Sequence, residues 1–416
     1  MSLLDYVVLF GSILAIALYG ILRTRGKKNL HDYLRGQKKQ HWFFIGLSVM
    51  ATQASAITFL STPGQGYAGG LAFVQNYFAV PLALVIIAAF FLPLYRKLNV
   101  YTAYEFLGKR FDQKTRLLAA AIFLLARGLA AGITIYAPAI VLSTVFNWSL
   151  PLTIIGAGIT VTAYTVIGGS DAVTQTQKYQ IAIIFVGMVS AFIILLQKIP
   201  CSFTDSLALA GHFGKLNAVD FSLDPKKDYT VWTGMFGGIF LMLSYFGTDQ
   251  SQVQRYISGD NLRESRLGLM FNALLKIPMQ FFILLLGVML FVFFLFHSGP
   301  IFFNRLKLSE HLASAENVTV ELVVRDPGGP GEVTYNEGKI LTSLTADFAE
   351  DQTALSRHLQ RWITARAQAD ASAQVDALAD VEQYQQRQQD IRDSVKRVLA
   401  KAPHTVSTKD SDYIFI

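Results

Sequence analysis

Residues 48–64 read Ser-Val-Met-Ala-Thr-Gln-Ala-Ser-Ala-Ile-Thr-Phe-Leu-Ser-Thr-Pro-Gly, inside an apolar stretch over residues 42–66 that is long enough to cross a bilayer. Small and hydroxyl side chains stand where a spanning helix normally holds Leu or Ile. Lipid offers no hydrogen bonds, so backbone that leaves the helix at membrane depth survives only where it lines a protein or water cavity. A span of this kind is built around a binding site rather than an anchor. Helix packing through small residues is the plainer alternative.

The chain is 52% hydrophobic and only 16% charged over 416 residues, too apolar for a water-soluble fold of that length. Apolar stretches of about 20 residues fall near 3–22, 42–66, 73–95, 117–145, 150–168, 179–198, 231–254 and 267–297, which is eight candidate spans. No small-residue cleavage site follows the first, so it reads as a retained helix. Lys and Arg crowd the loops after spans 1, 3 and 7, whereas the loops after spans 2 and 4 are nearly uncharged. Positive loops stay on the cytoplasmic side. The expectation is a multi-pass protein of the plasma (inner) membrane with its N-terminus extracytoplasmic. Residues 1–297 hold 23 basic and 12 acidic groups, and residues 298–416 hold 13 and 17. The net charge of +7 therefore belongs to membrane-flanking loops and does not point to nucleic acid. Cys201, the single cysteine, can form no internal disulfide.

Residues 298–416 are a polar, mainly helical extracytoplasmic segment, distinct from the transmembrane domain of residues 1–297. Within it, Val318-Thr-Val-Glu-Leu-Val-Val alternates at period two as a strand does, and Asp326-Pro-Gly-Gly-Pro-Gly ends it. From about 339 to 402 the pattern is helical with i, i+4 charge pairs, which reads as a helical hairpin projecting from the membrane, with disorder as the alternative. His311, His358 and His404 share no ligand spacing and read as solvated surface groups. Residues 409–416 resemble the interfacial start of another span.

Polar groups at membrane depth mark function. Thr52, Gln53, Ser55 and Thr58 lie in span 2, and Ser244-Tyr-Phe-Gly-Thr-Asp-Gln-Ser-Gln lies in span 7, with Gly247 able to open the helix. Two interrupted spans at separated places in the chain point to a solute site at a repeat interface. Arg127 sits in an otherwise apolar span with no carboxylate one turn away. Its guanidinium fits the carboxylate of an anionic solute, or a structural pairing with backbone carbonyls or Asp249. Lys276 lies closer to the cytoplasmic end of its span and could snorkel to the interface. No nucleophile–base pair, phosphate loop or metal-ligand spacing accompanies these groups, so a transporter is expected and not an enzyme.

Ser55-Ala-Ile-Thr-Phe with Pro63-Gly64, then Gly168-Gly-Ser-Asp-Ala-Val, then Tyr245-Phe-Gly-Thr-Asp-Gln with Gln254-Arg255, together resemble the sodium:solute symporter family over about residues 1–297. The resemblance implies an all-α, LeuT-type inverted-repeat membrane fold, here incomplete with about eight transmembrane helices. One extra helix would precede the first repeat, spans 2–6, and spans 7 and 8 would begin the second. It implies sodium held by the backbone carbonyls of Ala51 and Ala54, and solute contacts at Ser55, Thr58, Gln75 and Tyr77. Tyr245 would be an aromatic gate beneath the solute. The Ser-Ala-Ile-Thr-Phe run looks most like the sialic-acid branch, in which an arginine in the region of Arg127 holds the solute carboxylate. The sugar branch carries a glutamate at the place of Tyr77 and an asparagine at the place of Met242.

Two departures stand out. Gln175-Thr-Gln replaces the family's Trp-Thr-Asp, removing the acid of a second cation site, so one sodium per cycle is expected. The sequence stops before the ninth helix that completes the family's sodium site. The missing C-terminal helices could be supplied as a separate chain. The expected function is sodium-coupled symport of a small organic solute bearing a carboxylate, such as sialic acid or a monocarboxylate. A glucose-type sugar symporter and a non-transporting truncated fragment are the alternatives. A membrane sensor is disfavoured, because no cytoplasmic output domain follows.

Overall fold

The computed structural model of the protein describes residues 3–24, 41–98, 102–146, 148–303, 319–326 and 329–400. The basic run at 25–39, His311, His404 and residues 409–416 lie outside them. The first helix, α1 (Leu3–Thr24), has 22 residues and at 1.5 Å each reaches about 33 Å, enough to span a bilayer. Next come α2 (Trp42–Gln53) and α3 (Ala56–Gly69), separated by a two-residue interruption inside the expected second span. A 3₁₀ stretch (Gly70–Tyr77) leads into α4 (Ala79–Ile86) and, through one π turn, α5 (Leu92–Lys97). The short α6 (Ala103–Arg110) precedes α7 (Gln113–Phe146) and α8 (Leu150–Lys198). After α9 (Phe203–His212), the seventh expected span is a π turn, α10 (Gly238–Gly247) and α11 (Gln250–Ile257), and α12 (Leu262–Phe296) closes the bundle.

Among the described residues, five helical stretches are long and apolar enough to cross a membrane, and three shorter apolar helices accompany them. One expected boundary is absent. Gly168-Gly169 was expected to separate two spans, but α8 runs through it as one 49-residue helix. Each glycine costs a helix only about 1 kcal/mol, and no proline stands there to stop it. At about 73 Å, α8 is far longer than a bilayer core of about 30 Å. Its two apolar windows, Leu150–Ile167 and Tyr179–Lys198, remain distinct.

The core is organised around α12. Ile283, Leu284, Leu286, Val288 and Met289 are fully buried, whereas α7 turns Leu118, Ile122, Leu125 and Leu129 outward, as a lipid-facing helix does. Glycines set the spacing. A Cβ on Gly66 would meet the Leu284 carbonyl oxygen at 2.3 Å, and one on Gly287 would meet that of Pro63 at 2.0 Å. One end of α12 thus meets α3, and Gly268 at the other end meets Ile45 of α2. The Arg266 Nε donates to the Ala88 carbonyl (3.0 Å), so the segment after Gly70 has turned back toward the start of α12. Gly70 takes φ +70° to make that turn.

Beyond α12, β1 (Thr319–Asp326) and β2 (Gly329–Asn336) pair antiparallel from Thr319↔Asn336 to Asp326↔Gly329. The helices α13 (Glu337–Ala367) and α14 (Ala371–Ala400) then form the expected hairpin. It does not stand off from the bundle. Leu355, Leu359, Trp362 and Val381 share a hydrophobic cluster with α9 and α12. The Gln352 Nε2 donates to the Leu295 carbonyl (3.1 Å) and Arg366 pairs with Asp205. His358 is not a solvated surface group: its Nδ1 lies 2.8 Å from Asp380 and its ring stacks on Tyr384.

Gly287→Ala should force α12 and α3 apart and lower the melting temperature in detergent by the equivalent of about 1–3 kcal/mol. Gly237→Ala, whose Cβ would meet nothing within 4 Å, is the control and should leave melting unchanged or higher.

Candidate functional site

The α2–α3 interruption is the first element of the site. The Ala54 N–H donates to the Met50 carbonyl (2.9 Å) and ends the ladder, which resumes with Thr58 N–H to the Ser55 carbonyl (2.9 Å). Ala54 (φ −89°, ψ 77°) and Ser55 (φ −78°, ψ 171°) leave the helical region between them. The closing carbonyls of a helix have no partner within it, so those of Ala51 and Ala54 are free of the ladder at this level. Ser55 makes no capping bond with its side chain. Carbonyl oxygens released in this way are the donor type that a hard monovalent cation takes.

The same helix is tied to α8 by Gln177. The Ser48 hydroxyl donates to the Gln177 Oε1 (2.9 Å), and the Gln177 Nε2 donates to the Thr52 hydroxyl (3.2 Å). A neutral amide thus fills the position where an aspartate would add negative charge beside α2.

The second break, between α10 and α11, has the opposite character. Tyr256, Tyr95 and Tyr104 donate their hydroxyls to the carbonyls of Phe246 (2.9 Å), Gly247 (2.7 Å) and Thr248 (3.1 Å) in turn. Three consecutive released carbonyls are therefore satisfied by side chains. Asp249 caps α11, its Oδ1 accepting from the Ser251 N–H (2.9 Å) and hydroxyl (2.6 Å). Sequence periodicity marks none of these tyrosines, because each reaches the break from a different element. At this break, then, side chains take up the released carbonyls.

Between the breaks lie the charged groups. Arg127 on α7 pairs with Asp249, and its guanidinium carbon sits 5.6 Å from the centre of the Tyr245 ring. The Tyr245 hydroxyl accepts from the Gln252 Nε2 (2.8 Å). Arg127 and Tyr245 are thus brought together, with the acid of α11 as the arginine's partner. Lys276 does not snorkel. It is 1% exposed, its ammonium lies 5.2 Å from the centre of the Tyr77 ring, and no carboxylate pairs with it among the described residues. Gln75 is fully buried with its amide committed: Nε2 donates to the carbonyls of Ala72 (3.2 Å) and Tyr229 (3.1 Å), and Oε1 accepts from the Asp220 N–H (2.9 Å). A solute reaching Gln75 would have to replace one of these bonds. Ser55 and Thr58 are half-buried at the break.

The loop that Gln75 holds carries its own ion pair. The Lys227 Nζ donates to the Asp220 Oδ2 (2.6 Å) and the Ser222 N–H to its Oδ1 (2.8 Å). Those bonds, with the Lys227 charge, bring the Asp220 carboxyl down to about 2.

The chain is similar to known proteins. A family model described as the sodium:solute symporter family matches residues 33–325. The chain belongs to that family. The human sodium/iodide cotransporter is 31% identical over 324 residues, 76% of this chain and 48% of the relative. Human sodium-coupled monocarboxylate transporter 1 is 34% identical over 273 residues, 64% and 44% of the two chains. The sodium-dependent multivitamin transporter of Oryctolagus cuniculus is 33% identical over 260 residues, 62% and 41%. This symporter-family chain thus spans about half the length of the curated relatives it matches. It shares the fold of the substrate-bound outward-open state of a Na+-coupled sialic acid symporter, with a TM-score of 0.66 at 23% identity over 99% of this chain and 78% of that one.

Asp249→Ala should remove the α11 cap, about 1 kcal/mol, and leave Arg127 without its carboxylate. Adding Arg127→Met should recover part of the loss in thermal melts; strictly additive losses would show that the pair is not coupled. The Asp220 anchor follows pH. A carboxyl held below its ordinary 3.8 stabilises the folded loop above that value, and the contribution is lost as pH falls toward 2. Protection of the amides over residues 218–230, relative to their intrinsic exchange, should therefore hold down to pH about 4 and fall below it, and Asp220→Asn should abolish that step.

Proposed function

We propose that this chain takes part in sodium-coupled symport of a small organic solute bearing a carboxylate, such as sialic acid or a monocarboxylate, across the plasma membrane. Lys276 carries the reading: a buried amine without an acidic partner among the described residues stands beside Tyr77, where an arriving anion would hold it protonated. An anionic solute supplies what such a charge lacks. Ser55 and Thr58 offer hydroxyls at the break, Gln75 and Tyr77 form the facing wall, and Tyr245 closes the site beneath the solute. Arg127 exchanges the Asp249 carboxylate for that of the solute on loading. The carbonyls of Ala51 and Ala54 hold one sodium ion, and Gln177 in its neutral bridge supplies no charge for a second.

Support for alternating access comes from the two discontinuous helices, α2–α3 and α10–α11, at separated places in the chain. In this reading they head two inverted LeuT-type repeats. Residues 1–297 form the membrane domain, and residues 298–416 cap it on the extracytoplasmic side. The basic ends of α5, α6 and α12 face the cytoplasm.

The test is uptake of radiolabelled lactate, sialic acid and glucose into vesicles holding the chain, under an inward sodium gradient. Carboxylates should enter in preference to glucose, with uptake following sodium concentration to the first power. Arg127→Ala and Lys276→Gln should each lower carboxylate uptake more than about tenfold, the effect of losing roughly 1.4 kcal/mol or more of binding. Glucose preferred over both acids, or uptake indifferent to sodium, would sink the proposal.

A further inference from the structure

Where α12 ends, α14 lays an arginine against the bundle. Arg392 is only 8% exposed. Its guanidinium carbon lies 4.6 Å from the centre of the Phe303 ring and 5.2 Å from that of Phe348. A Cβ on Gly299 would stand 3.3 Å from its Nη2, so glycine gives the guanidinium its seat. Among the described residues no carboxylate pairs with it and no acceptor bonds to it. Beside it a cavity of about 20 Å³ is lined by Tyr67 of α3, Phe291 of α12, Gln352 of α13, and Gln385 and Gln388 of α14. None of the described residues that line it is acidic.

Arginine keeps its charge where a buried lysine can shed its proton. A buried charge is unfavourable unless something compensates it. The two rings offer their π-faces, but the guanidinium edge carries five N–H donors that call for an acceptor. Its neighbours on α14 are amides. Gln385, Gln388 and Arg392 recur at three and four residues, on one face of the helix. The Gln388 Nε2 donates to the Gln352 Oε1 (2.8 Å), and the Gln352 Nε2 to the Leu295 carbonyl (3.1 Å), which fixes those two side chains. A second cation is close. The Lys215 Nζ donates to the Ala68 carbonyl (2.7 Å) and lies 4.7 Å from the centre of the Phe291 ring. The surroundings are thus positive, and the cavity has room for about one small ion.

We propose that this cavity binds one monovalent inorganic anion of chloride size, held by the Arg392 guanidinium and the Gln385 amide. The ion joins α14 to α12 and α3, and so fastens the hairpin to the bundle. Sulfate, phosphate and organic carboxylates are too large for a cavity of that volume. Phe291 lies fifteen residues beyond Lys276 on α12, about 22 Å along the helix. The anion site is therefore separate from the solute site proposed above and does not rest on it.

Thermal melts of the full chain in detergent test it, with sodium chloride replacing sodium gluconate at constant sodium. The melting temperature should rise saturably with chloride by at least about 2 °C. Bromide should substitute for chloride, and sulfate should not. Amides of residues 385–399 should exchange about tenfold more slowly at ten times the half-saturating chloride concentration. Arg392→Gln should abolish the rise in melting temperature. Gln385→Glu places a carboxylate in the lining to serve in place of the ion, and decides the matter should Arg392→Gln not fold. It should melt higher than the parent chain without chloride and lose the chloride response. Melting of the parent chain that ignores chloride would overturn the site, and so would a chloride response left intact in either variant. Chloride-dependent melting without carboxylate uptake leaves the anion site standing and removes the transport proposal. Uptake with chloride-independent melting does the reverse.

Discussion

Backbone hydrogen bonding in a medium without water is the constraint on which this structure depends. A helix that stops within the apolar layer exposes carbonyls that lipid cannot satisfy, each at several kcal/mol. The chain stops twice, and the two stops are resolved differently. Between Gly247 and Asp249 the protein supplies hydroxyls from Tyr95, Tyr104 and Tyr256. Among the described residues, none of these hydroxyls reaches the stop between Gln53 and Ala56.

Packing follows from that distribution. A broken helix cannot support itself by length, so α2 and α3 lean on α12 through glycines that allow backbone to approach backbone. The central helix is consequently able to carry Asn272, Lys276 and Gln280 fully buried, because its surroundings are protein. The helices α7 and α8 face outward with Leu, Ile and Val. The hairpin α13–α14 extends the same core past the end of α12 through Trp362 and Leu359.

Much of this was legible in the residues. Hydroxyl and small side chains around Ser55 located the first break, Gly247 located the second, and the unaccompanied Arg127 announced a carboxylate partner, with Asp249 among the candidates. The hairpin was visible in its helical periodicity. What escaped depended on contacts remote in sequence. Gly168-Gly169 reads as a turn, but glycine permits a turn without requiring one, and α8 passes through it. Lys276 looked free to reach the interface because distance along a helix says nothing about the wall in front of it. Gln75 was legible as a polar group near the solute, yet its bonds to Tyr229 and Asp220 come from about 150 residues away. The tyrosines of the second break were hidden for the same reason.

Those tyrosines also determine how the second break can move. Tyr95 belongs to α5, Tyr104 to α6 and Tyr256 to α11, and they grip successive carbonyls of one short segment. Moving that segment therefore breaks bonds to three separate elements. Among the described residues no such set of hydroxyls grips the α2–α3 break, so the second break is the stiffer of the two.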